Sequence, residues 1–280
     1  MNKNIRRIDN YKEYFTKEYL MGPNSLRLLD EMLAKYPLKE GSRVMDLGCG
    51  AGITSLFLAK EAAVNVFATD LWISATQNAR TFEKWGIADS VIPIHADAND
   101  LPYATEYFDA IVSIDAYHYF ANKKGYMQEK ILPYLKKGGS LIIAVPGFKE
   151  APKGEDYEMM MEWFEGDKEA YNEFQTREWW VNLIGKGDDF EVVMDFDLDC
   201  FDEAWNDWFK SGHEYGIKDK RYFDRGMGEY LSFIRSSGTT IPSPSRRRST
   251  SSAPTTGRAS APSSPKPSPT SSSASARARA

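Results

Sequence analysis

Val44-Met45-Asp46-Leu47-Gly48-Cys49-Gly50-Ala51-Gly52 is the stretch whose reading decides the fold. An apolar run from Arg43 to Leu47, suited to a buried strand, gives way to alternating glycines, and helical spacing follows from Thr54 to Glu61. Glycine adopts backbone angles that other residues avoid and lets a ligand lie close to the main chain. The stretch therefore reads as a nucleotide-type loop between a first strand and a first crossover helix. It is not a dinucleotide fingerprint: counted from Gly48 and Gly50, the third glycine position of G-x-G-x-x-G holds Ile53, and Gly52 comes one residue early. Nor is it a G-x-x-x-x-G-K-[ST] loop, because no lysine follows the last glycine.

Working outward, strand-like apolar runs recur at Val64 to Thr69, Val91 to His95, Phe108 to Ile114 and Ser140 to Val145. Between them, Ser74 to Trp85 and Lys123 to Leu135 have helical spacing, and Lys136-Lys137-Gly138-Gly139 reads as a turn. Strands alternating with helices predict an α/β fold, Rossmann-like, with a mostly parallel sheet and helices on both faces. A strand pair near Phe190 to Phe196 and Glu229 to Arg235 would complete it at seven strands. The stretch Phe148 to Gly187, dense in Trp, Tyr, Phe and Met, predicts an aromatic helical cap on the sheet or over its mouth. Tyr11, Phe15 and Tyr19 fall at i, i+4 and i+8, a single stripe if that segment is helical, to serve either as core or as lid. The expected organisation is one domain over residues 1–235. It divides into an N-terminal cap (1–40), a ligand-binding core (41–147) and a substrate cap with the last strands (148–235), followed by a disordered Ser/Pro/Arg-rich tail (236–280).

The tail assignment rests on composition, because a segment rich in serine and proline, with no aromatic residue and Ile241 as its only large aliphatic one, cannot offset its ordering entropy. The chain carries 35 basic and 40 acidic residues for a net charge of −5, yet every charged residue from Ser236 onward is basic, so the rest is more acidic still. An acidic body of that kind argues against a nucleic-acid partner. Cys49 and Cys200 lack metal-ligand spacing, so no metal site is expected and reduced thiols are the default. The N-terminus has no apolar signal core and no run approaches a membrane span, so the expected location is cytoplasmic.

Asp46-Leu47-Gly48-Cys49-Gly50-Ala51-Gly52 resembles the D-x-G-x-G-x-G motif of class I S-adenosylmethionine-dependent methyltransferases, particularly the small-molecule group that includes the ubiquinone and menaquinone biosynthesis enzymes. The resemblance covers roughly residues 21–146 and implies S-adenosyl-L-methionine as cofactor. It places Asp46, Gly48, Cys49, Gly50 and Gly52 in the cofactor loop, and Asp70, followed by Leu71, at the end of the second strand, where the family's acid binds both ribose hydroxyls. It also places Asp97 and Ala98 after the third strand, to meet the adenine amino group and a ring nitrogen. Met21-Gly22-Pro23-Asn24 is similar to a turn that lies over the cofactor in some members, which would make Tyr19 and Gly22 neighbours of its methionine end.

The fourth strand runs out into Asp115-Ala116-Tyr117-His118, at the carboxyl edge where open α/β sheets hold ligands. His118 is the candidate general base, since an imidazole titrates near neutrality; packing, or binding the cofactor's methionine end, are its alternatives. Asp115 is assigned to the cofactor's ammonium group, to orienting His118 or to capping. Tyr11, Tyr14 and Tyr117 are substrate-facing candidates that could cover a cation, or else core aromatics. The implied reaction is in-line methyl transfer to N or O of a small molecule. The alternatives are transfer to carbon on a quinone-like ring or lipid, or a non-catalytic cofactor-binding domain. The cap would serve a homodimer interface as readily as a substrate lid.

Overall fold

The computed structural model describes residues 7–184 and 190–240. Its strands are β1 (Arg43–Leu47), β2 (Asn65–Asp70), β3 (Val91–His95), β4 (Phe108–Ile114), β5 (Leu135–Phe148), β6 (Gln175–Thr176), β7 (Phe190–Asp197) and β8 (Leu231–Thr240). The helices are α1 (Ser25–Lys35), α2 (Ile53–Glu61), α3 (Ala75–Lys84), α4 (Glu155–Trp163), α5 (Lys168–Glu173), α6 (Arg177–Ile184), α7 (Phe201–Lys210) and α8 (Glu214–Phe223). The main sheet path is β3-β2-β1-β4-β5-β8-β7, with the short β6 beside the end of β5. β1 to β5 run parallel, and β8 is antiparallel to both β5 and β7.

Alternation along the buried strands produces two cores. Val44, Val112, Ile142 and Ala144 face α1, α2 and the aromatic residues of α4 and α7, whereas Met45, Ile111, Ile143 and Val145 face Tyr117, Trp180 and Ile184. The start of α1 is fixed to α7: Asn24 caps α1 by accepting from Leu26 N–H, donates through Nδ2 to Asp207 Oδ2 at 2.7 Å, and the same carboxylate pairs with Arg27. Among the described residues no helix is long and apolar enough to cross a membrane.

Four local expectations are corrected. The N-terminal stripe is not one helix, because a 3₁₀ segment, Arg7–Tyr14, ends before Phe15 and Tyr19. Lys123 to Leu135 forms only a π-turn, Met127–Ile131, and a 3₁₀ turn, Leu132–Tyr134, where Pro133 interrupts the helix. Lys136-Lys137-Gly138-Gly139 lies within β5 as an irregularity, since pairing with β4 breaks after Leu135 and resumes at Ser140. The last strand does not stop at Arg235: Ser236 and Ser237 are buried in β8 and pair with Ile143 and Ile142, because ladder bonds need only backbone. The remainder of the expected tail, residues 241–280, lies outside the described residues.

Candidate active site

The C-terminal ends of β1, β2 and β4 converge on the glycine loop. Gly48 has φ +79°, and a Cβ there would lie 2.3 Å from the Ala116 Cβ, so the turn leaving β4 rests directly on the loop. The Met21-Gly22 turn closes the other side. A Cβ at Gly50 would fall 2.9 Å from the Met21 sulfur, and one at Gly22 would fall 2.8 Å from Asp115 Oδ2. Gly22 therefore makes a close approach to the Asp115 carboxylate.

Asp70 knits this edge together. Its Oδ2 accepts from Gly50 N–H at 2.8 Å, and its Oδ1 accepts from Trp72 and Ile73 N–H at 2.7 and 2.8 Å. Next to it Leu71 is half exposed, and its carbonyl lies 2.8 Å from His95 Nε2. At the end of β3, Asp97 is exposed and its Oδ1 accepts from the backbone and side-chain nitrogens of Asn99, while the buried Ala98 accepts through its carbonyl from the Tyr126 hydroxyl. Asp70, Asp97 and Ala98 thus line successive strand ends, the layout an extended ligand needs.

The side chains of Asp46 and Cys49 are both buried at the loop. Asp46 is buried beneath the loop, where its Oδ2 accepts from the Thr54 and Ser55 hydroxyls at 2.7 Å each, bracing the first turn of α2. Burial pushes its carboxyl up to about 6. The Cys49 thiol is buried 3.6 Å from Asn78 Nδ2, and burial raises it well above the usual thiol range. Neither side chain faces the cleft.

Beyond β4 the surroundings change. Asp115 has φ +56°, unusual for a residue with a side chain. Among the described residues its half-buried carboxylate has no hydrogen-bond or ion-pair partner, and burial alone pushes it up to about 8. His118 is 1% exposed, and its Nδ1 is buried with no hydrogen-bond partner among the described residues. Burial alone pulls its imidazole down to about 3, which keeps it neutral at ordinary pH. The ring sits 4.0 Å from the Tyr119 ring and meets Phe174 edge-on at 5.7 Å.

Two expected substrate-facing tyrosines are corrected by their burial. Tyr11 packs its ring on Phe57 of α2 and donates its hydroxyl to Glu61 at 2.6 Å. Tyr117 lies in the opposite core against Tyr126 and Trp180, with 1% exposure. Tyr14 and Tyr19 both meet Trp85 at the end of α3, and the Tyr19 hydroxyl accepts from Lys84 at 2.9 Å. Sequence reasoning missed two residues. Trp72, 40% exposed, reaches from the end of β2 to within 5.2 Å of the Tyr119 ring beyond β4, spanning the end of β1. Its position two residues past Asp70 was the available signal. Phe174 reaches His118 only because β6 pairs with β5, and nothing local in the sequence announces that pairing.

Residues 45–143 match the family model of a methyltransferase domain, a segment running from β1 into β5. The chain is 30% identical over 120 residues to 27-O-demethylrifamycin SV methyltransferase of Amycolatopsis mediterranei, a match covering 42% of this chain and 43% of that protein. It is 34% identical over 104 residues to demethylmenaquinone methyltransferase of Clavibacter sepedonicus, covering 37% and 40% of the two chains. The chain thus spans less than half the length of the curated relatives it matches. Among solved structures, Haemonchus contortus phosphoethanolamine N-methyltransferase 2 in complex with S-adenosyl-L-methionine superposes with a TM-score of 0.63 at 16% identity, over 84% of this chain and 56% of that one. That likeness shows a shared fold.

Proposed function

Taking residues 45–143 as a methyltransferase domain of the class I, S-adenosylmethionine-dependent kind, we propose that this protein binds S-adenosyl-L-methionine across the ends of β1, β2 and β4. The reaction proposed is methyl transfer to a nitrogen or oxygen of a small molecule. The observation that carries this reading is Asp115, a half-buried carboxylate without a partner among the described residues, set against the glycine loop and the Met21-Gly22 turn. A carboxylate desolvated without a counter-ion is a receptor for a cation, and an amino-acid ammonium group restores the charge balance that burial removed.

The cofactor, when bound, supplies an electrophilic methyl carbon on a sulfonium. The protein's share of the work is to bind, align and exclude water. Asp115 holds the ammonium end. Asp70 accepts a ribose hydroxyl at the Oδ2 site left over from its three backbone bonds, since a carboxylate offers about four such sites. Asp97 and the Ala98 N–H serve the adenine. His118, kept neutral, accepts through Nδ1 the N–H or O–H of the methyl acceptor and fixes its lone pair in line. It takes the proton only as positive charge develops on the methylated atom during transfer.

A second reading, transfer to carbon on a quinone-like ring, is favoured by the ring-lined surroundings of His118 and by the likeness to a demethylmenaquinone methyltransferase. Isothermal titration with S-adenosylhomocysteine tests the foundation: the wild type is expected to bind, and no heat from a folded sample would sink both readings. Binding without turnover on any amine, phenol or quinone would instead favour a sensor of the cofactor.

A further inference from the structure

His118 is enclosed by rings, and the ring that closes it in from the cap is held by very little backbone. Phe174 follows α5 and precedes β6, which among the described residues pairs only through Gln175 with Gly147 and Thr176 with Phe148. Gly147 makes this pairing possible, since a Cβ there would lie 2.2 Å from the Gln175 carbonyl oxygen. The Phe174 ring is itself only partly buried, against Phe148, Trp163 and Phe164 at 5.0 to 6.0 Å and against the imidazole. A two-residue strand is a weak anchor, and segments with few backbone bonds open at low free-energy cost.

The imidazole makes the second half of the argument. Buried side-chain polar atoms nearly always have a hydrogen-bond partner, so the lone Nδ1 marks a place where one belongs, a donor when the ring proton is on Nε2. At 1% exposure His118 leaves no room for that donor unless a neighbour moves. Among the described residues no charged side chain hydrogen-bonds or pairs with His118, and neighbouring charge contributes nothing to the shifts of His118 or Asp115, where burial acts alone. A charged acceptor would therefore lose its hydration without gaining a counter-ion.

We propose that Phe174 is a displaceable plug, standing where the ring of a flat, uncharged methyl acceptor binds with its N–H or O–H on His118 Nδ1. This rests on the methyl-transfer reading for the word acceptor, but the pocket it describes can be tested separately. When the acceptor enters, the Phe174 segment lifts from the end of β5 and the aromatic wall of Phe148, Trp163 and Phe164 receives the new ring. Edge-to-face and stacked aromatic contacts replace those that Phe174 gave up.

The test uses the full chain, with and without S-adenosylhomocysteine, and two probes: 2-naphthol, flat and uncharged, and 6-hydroxy-2-naphthoate, its carboxylate analogue. Binding is followed by titration and by the imidazole ¹⁵N resonances, a simple spectrum because the chain has 3 histidines. In the wild type, 2-naphthol is expected to bind and shift the His118 signal, and the carboxylate analogue to bind at least about tenfold more weakly. Phe174→Ala removes the competing ring and is expected to tighten 2-naphthol by roughly three- to tenfold, leaving S-adenosylhomocysteine affinity unchanged. Phe174→Leu, which preserves the apolar packing if alanine does not fold, is expected to give a smaller gain in the same direction. Weaker or unchanged 2-naphthol binding in a folded Phe174 variant, no shift at His118, or equal binding of the carboxylate analogue would overturn the plug. Failure of S-adenosylhomocysteine to bind, with the naphthol results as expected, would overturn the cofactor reading and leave the plug standing.

Discussion

Asp70 at the end of β2 and His118 beyond the end of β4 stand one strand apart across the glycine loop, and their surroundings are opposites. Three backbone N–H groups converge on the Asp70 carboxylate within 2.8 Å. His118 has rings at 4.0 and 5.7 Å, and its Nδ1 has no partner among the described residues. Backbone amides fixed by a sheet recognise one geometry and tolerate little variation in side chains around them, which suits a ligand part that never changes. Packed rings recognise shape and exclude water, and they are retuned by exchanging side chains. On the proposed reading, the difference assigns the constant half of the reaction to β1 and β2 and the variable half to β4, β5 and the cap.

If the two regions are separable, the largest perturbation should fall on one without touching the other. Trp205→Ala in α7, a buried ring within 4.4 Å of Phe223, is expected to cost about 3–5 kcal/mol in urea unfolding while S-adenosylhomocysteine affinity, measured on folded protein, stays at the wild-type value. A parallel loss of affinity would show the cap and the cofactor edge to be one unit. Asp115→Asn sharpens the boundary from the other side. It should weaken S-adenosylhomocysteine binding roughly ten- to hundredfold, the worth of a charge-assisted bond, with the ligand-free melting temperature unchanged or raised because a carboxyl that must be protonated to be buried is gone. A lowered melting temperature with intact binding would assign Asp115 to the scaffold.

The pH dependence is next in size. With its carboxyl at about 8 when folded and in the ordinary range near 4 when unfolded, ligand-free Asp115 favours the folded state fully below about pH 4, and this contribution is lost as pH rises through about 8. An ammonium ligand needs the ionised form, so calorimetry should show affinity rising by up to about tenfold per unit toward pH 8, then levelling, and the Asn variant should be flat. The smallest expected effect is that of Asn24→Ala, which removes the cap of α1 and its bond to Asp207 for about 1 kcal/mol, read as a lower urea midpoint with unaltered ligand affinity.

The glycine loop, Asp70 and the strand alternation were legible because they are local: a turn needs its glycines in consecutive positions, and a buried strand needs an apolar run. Tyr117 stayed open between cleft and core because the residues leaving β4 alternate between a cleft and a second core, and adjacency to Asp115 does not say which. Ser236 to Thr240 were read with the tail because composition averages over a window, whereas the strand they continue is defined by partners far away in the chain. There Gly238 admits the Phe190 ring, whose nearest atom would lie 2.1 Å from a Cβ. Phe174 was invisible for the same reason: its place depends on a pairing set by Gly147.

The position of β8 has a consequence for the order of events as the chain leaves the ribosome. β8 is made last among the described strands, yet it lies between β5 and β7 and among those strands alone pairs with β7. The five parallel strands can associate as soon as residue 148 is out, with one side of β5 bare. The aromatic cap and β7 then wait, unzipped, until the final strand slides between them. An open strand edge beside exposed tryptophans invites intermolecular pairing. Nascent chains stalled between β7 and β8 should therefore be the form most dependent on chaperones.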